Sequence, residues 1–107
     1  MELAEFEKLV YEGVQLIPQK FRDRLDNVAI FTARYPTYEQ QQKVNLRPGW
    51  TLFGLYEGVP IPKRGSNYAM VLPDRITIFQ EPIVLAAAGD PEKVRSIVKN
   101  TVWHEIA

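Results

Sequence analysis

The 107-residue chain has no cysteine and only one histidine, His104. Without cysteine there is no disulfide framework and no thiolate metal site, so any metal must be held by histidine and carboxylates. With one histidine, a closed zinc site within these residues is not expected. Net charge is lacking too: thirteen Lys and Arg balance thirteen Asp and Glu. That balance argues against nucleic acid and anionic lipid, whose binding draws on a strongly positive surface. No apolar run approaches the length of a membrane span, about 18 residues, and the N-terminus lacks the basic segment and apolar run of a secretion signal. The expectation is a soluble cytoplasmic protein with no membrane partner and no nucleic-acid partner.

What is present, 46% hydrophobic and 24% charged residues, suits one compact domain over residues 1–107. Its most informative stretch is the last. Asp90 reads as a helix N-cap, Pro91 occupies the first position, where its missing amide costs nothing, and Glu92 meets the positive end of the dipole. At about 100° per residue, Val94, Ile97, Val98, Thr101, Val102 and Ile106 form one broad apolar stripe. Glu105 falls inside that stripe and His104 on its margin. A carboxylate in such a place must be paired, reach a metal or its water, or open into a cleft. The plainer alternative is a glutamate solvated at a fraying helix end.

Upstream, Leu3, Phe6, Leu9, Val10, Val14 and Ile17 recur at spacings of three and four, which predicts a helix from Glu2 to Ile17. Pro18 breaks it and can begin a second, short helix to Leu25, with Lys20, Arg22 and Arg24 as a solvated face. The β-branched and aromatic run Val28 to Tyr35 predicts a strand, and its apolar first half a central one. Thr37 to Arg47, with three consecutive glutamines from Gln40, is expected to be a surface loop. Pro48-Gly49 marks a turn. Gly49 and Gly54 have the spacing of phosphate-loop glycines, but Leu55-Tyr56 stands where Lys-Ser/Thr is required, so no nucleotide role follows. Lys63 and Arg64 sit in a turn-rich segment; they read either as ordinary solvated cations or as partners for a substrate carboxylate. Asp74 to Gln80 alternates like a strand, and the bracketing Pro73 and Pro82 suggest an edge. Ile83 to Ala88 is a short apolar helix-compatible run closed by Gly89.

The string Trp103-His104-Glu105-Ile106-Ala107 is the front half of HExxH, the helical motif in which two histidines one turn apart bind zinc and the glutamate activates the metal's water. Together with Leu52-Phe53-Gly54-Leu55-Tyr56-Glu57-Gly58-Val59-Pro60 and Leu72-Pro73-Asp74-Arg75-Ile76-Thr77-Ile78-Phe79, it makes nearly the whole chain resemble the small bacterial zincin-like metallopeptidases, the minimal zincins. The resemblance implies an α+β fold, a small mixed sheet packed against the N-terminal and C-terminal helices. It implies His104 as a metal ligand, Glu105 as the catalytic base, and a peptide or protein substrate. It further implies that an edge strand of Arg75, Ile76, Thr77, Ile78 and Phe79 holds that substrate by backbone pairing. Tyr56 and Glu57 are candidate groups behind the ligands. In the family the motif continues with a second histidine, a glycine turn and a further ligand. Two alternatives stay open: the protein continues past Ala107, or it departs from its relatives there. The cofactor expected is zinc in the complete protein and none bound by these residues alone. A non-catalytic binding or scaffold protein on a degenerate zincin fold is the rival reading.

Overall fold

The computed structural model describes residues 1–45, 51–58 and 73–106. Helix α1, Leu3–Gln15, buries Phe6, Leu9, Val10 and Gly13, the inner part of the predicted stripe. Its neighbour is the last helix, α5, Pro91–Ile106, which buries Val94, Val98 and Val102. Gly13 sets their distance: a Cβ there would lie 2.8 Å from the Arg95 carbonyl oxygen and 3.1 Å from Val98. Between them in sequence, Pro18 caps α2, Gln19–Arg22, which tightens into a 3-10 turn at Asp23–Leu25.

Among the described residues the sheet has three strands: β1, Val28–Ala33; β2, Gly54–Glu57; and β3, Asp74–Phe79. Their order is β1-β3-β2, with β1 parallel and β2 antiparallel to β3. This α+β arrangement agrees with the expected small mixed sheet packed against the N-terminal and C-terminal helices. It reverses the expected strand positions, however. The Val28 run lies at an edge, and Asp74–Phe79 is the central strand, buried continuously from Ile76 to Phe79. Its prolines misled because both fall outside the ladder. Pro73 precedes the strand, and Pro82 lies in the first turn of α4, Gln80–Ala86, where a helix needs no amide. Arg75, Ile76, Thr77, Ile78 and Phe79 are flanked by β1 on one side and by β2 or Phe53 on the other, so they offer no open edge to a substrate.

Two further elements were missed. Thr37 to Lys43 is not loop: helix α3, Tyr38–Lys43, is held by a capping box. The Thr37 hydroxyl accepts the Gln40 amide at 3.1 Å, and the Gln40 side chain accepts the Thr37 amide at 2.9 Å. The segment Gly54–Glu57, for which no strand was expected, forms one. The predicted turn at Pro48-Gly49 and the loop carrying Lys63 and Arg64 lie outside the described residues.

Candidate functional site

The last helix is fixed at both ends. Asp90 accepts the Glu92 amide at 3.0 Å, as its N-cap role requires. Near the other end, the Trp103 ring tilts against Phe21 with centroids 5.0 Å apart. The Arg24 guanidinium reaches the Ile106 carbonyl at 3.4 Å. The interior of the helix is set against β2 by a second glycine. A Cβ on Gly54 would approach the Thr101 methyl to 2.7 Å and the Thr77 carbonyl to 3.2 Å, so only glycine lets strand and helix come so close. Glu105, one turn after Thr101, is thereby brought to the same strand.

The ladder phase shows which part of β2 it meets. Phe79 donates its amide to the Phe53 carbonyl at 2.9 Å, which makes 53 and 79 a hydrogen-bonded pair. By antiparallel alternation Leu55 and Glu57 then turn their backbone groups toward β3, while Gly54 and Tyr56 turn theirs outward. The Tyr56 amide faces the Glu105 carboxylate closely enough to pull its proton affinity down. Glu105 is thus half-buried at a strand edge that no other strand among the described residues covers, not splayed into solvent at a frayed end. Burial raises its carboxyl above the ordinary value, against the opposing pull of the Tyr56 amide and the His104 charge.

His104 is exposed, and its Nδ1 lies 2.7 Å from the Asn100 carbonyl oxygen. A carbonyl can only accept, so Nδ1 carries the proton and, in the neutral ring, Nε2 keeps its lone pair. That tautomer is the one a metal ligand bound through Nε2 requires. Among the described residues, no three His, Cys, Asp or Glu side chains stand together to hold a metal ion. The imidazole fits as one donor; the donor set here does not make a zinc centre.

Behind the edge, the Tyr56 hydroxyl donates to the Asp74 carboxylate, and this bond, followed by burial and the Asp74 charge, raises the phenol above its ordinary value. Lys43 binds Glu57 at 2.7 Å and holds that carboxyl below its usual range. Both candidate supporting residues therefore brace β2, and Tyr56 approaches Glu105 through its backbone, which side-chain reasoning could not foresee. Two surface concavities, of about 440 Å³ around Tyr35 and Leu85 and about 620 Å³ between α1 and β1, include neither His104 nor Glu105. What faces Glu105 is a strand edge.

A small α+β domain whose final helix sets an imidazole and a half-buried carboxylate beside an antiparallel edge strand has the layout of a zincin. The chain belongs to the zincin-like metallopeptidase family, whose model matches residues 25–107. Comparison with curated proteins gives no match.

Proposed function

We propose that this protein is a zinc-dependent peptidase in which Glu105 is the general base and His104 Nε2 is one ligand of the zinc that the family implies. The observation that carries the reading is the half-buried Glu105 carboxylate set against the Tyr56 backbone of the edge strand. The Tyr56 amide favours the ionised carboxylate, the form that takes a proton from an attacking water. The same edge supports peptide binding. The Gly54 amide and carbonyl and the Tyr56 carbonyl face outward, and an extended substrate pairing with them runs past Glu105. The substrate strand is thus β2, in place of Arg75 to Phe79.

The full-length gene product carrying Glu105→Gln tests this reading. Zinc content should stay at the level of the unmodified protein while peptide hydrolysis falls by about a hundredfold or more. Undiminished hydrolysis overturns the assignment of the base. The absence of a metal-holding cluster among the described residues favours the rival, a binding protein on the same fold. That rival predicts no hydrolysis by the unmodified protein either.

A further inference from the structure

The sheet's other edge is β1, and among the described residues nothing pairs with it. The Asp74 amide donates to the Asn27 carbonyl at 3.0 Å, which fixes the phase of the parallel ladder. Ala29, Phe31 and Ala33 direct their backbone groups to β3; Val28, Ile30 and Thr32 direct theirs away. Soluble proteins blunt such an edge with charge, proline, a bulge or a covering element. Val28-Ala29-Ile30-Phe31-Thr32-Ala33 contains no charge and no proline, and its register with β3 is unbroken. Phe31, on this strand, is 47% exposed.

We propose that β1 pairs antiparallel with β1 of a second copy, centred on Ile30, joining two sheets into one. The strand is complementary to itself in that register. Ile30 opposes Ile30 and Val28 opposes Thr32, so the outward backbone groups meet as hydrogen-bonded pairs between β-branched residues. Phe31 opposes Ala29, which gives the exposed ring a small neighbour to lie across.

Charge selects the same register. Asp26, in the turn two residues before the strand, lies within reach of the long Arg34 side chain of the second copy, and two-fold symmetry makes this contact twice. Arg34 lies 3.8 Å from Glu81 with its side chain 73% exposed, so its guanidinium retains donors for a second carboxylate. Sliding the pairing by two residues either way moves each Asp26 about 7 Å along the strand from its Arg34 and weakens the attraction. An unrelated extended peptide can use the backbone groups but gains neither the charge match nor the fit of Phe31 on Ala29, which is why a second copy is the occupant assigned.

Sedimentation of the chain from about 1 to 100 µM tests the assignment. The expected result is a concentration-dependent shift to twice the chain mass. Thr32→Pro removes an outward amide and no internal ladder bond, and should leave a folded monomer. Arg34→Asp should weaken the dimer about tenfold, and adding Asp26→Arg should restore it. A monomer throughout the range overturns the proposal. So does a dimer indifferent to Thr32→Pro and Arg34→Asp, or one that the double charge exchange fails to restore. If Thr32→Pro proves unfolded by circular dichroism, the charge exchange alone decides.

Discussion

The two edges of this one sheet are treated in opposite ways. On β2, the outward amide of Tyr56 faces the Glu105 carboxylate, Lys43 of α3 is tied to Glu57 at 2.7 Å, and Gly54 admits α5 to near contact. On β1, the outward groups of Val28, Ile30 and Thr32 meet no partner among the described residues, and the side chains are uncharged. An edge dressed with polar chemistry is suited to brief, selective pairing, whereas a plain apolar edge favours lasting association. Within one fold, function and assembly can therefore occupy opposite sides of the central strand.

The largest effect that separates the edges is steric. Gly54→Ala places a methyl 2.7 Å from Thr101 and 3.2 Å from the Thr77 carbonyl. It should cost about 1–3 kcal/mol of stability in denaturant unfolding. Thr32→Val on the bare edge should stay within about 0.5 kcal/mol. Equal costs would mean that β2 is not held against α5 as described.

How far the sequence revealed this contrast varied by element. Helix α5 was legible from its N-cap, its proline and its stripe, and Glu105 stood out because it broke that stripe. The strand order was not. Prolines beside a strand mark an edge only when they fall within its ladder, and Pro73 and Pro82 fall outside it. The β1 run looked central because its composition is apolar, yet Phe31 is nearly half exposed. Helix α3 was hidden by its glutamines, which carry no apolar period; the Thr37-Glu39-Gln40 neighbourhood held the readable signal, a capping box. Tyr56 approaches Glu105 through a backbone amide, and no pattern of side chains could have shown it.

The brace on β2 gives an intermediate effect. Thr37→Ala deletes half of the capping box and should cost about 1 kcal/mol, read as a lowered unfolding midpoint. An unchanged midpoint would show that α3 contributes nothing to the support of β2.

The smallest effect concerns pH. Burial raises Glu105 above 4.5. Its carboxyl therefore holds a proton more tightly folded than unfolded, so ionisation costs stability at neutral pH. That cost disappears as the pH falls below the unfolded-state value. In the zinc-free chain, Glu105→Gln should raise the melting temperature near neutral pH by no more than about 4 °C, and the gain should vanish in acid. A variant less stable than the parent near neutral pH would contradict the burial argument.

The central claim, that the Glu105 carboxylate rests on the outward amide of β2, is tested most directly by nuclear magnetic resonance. The Tyr56 amide proton of the zinc-free chain should move sigmoidally with pH, with a midpoint above the ordinary 4.5 of a glutamate, and should stop moving in Glu105→Gln. A Tyr56 amide that is flat through the acid range in the parent chain, or that titrates just as before in Glu105→Gln, would contradict it.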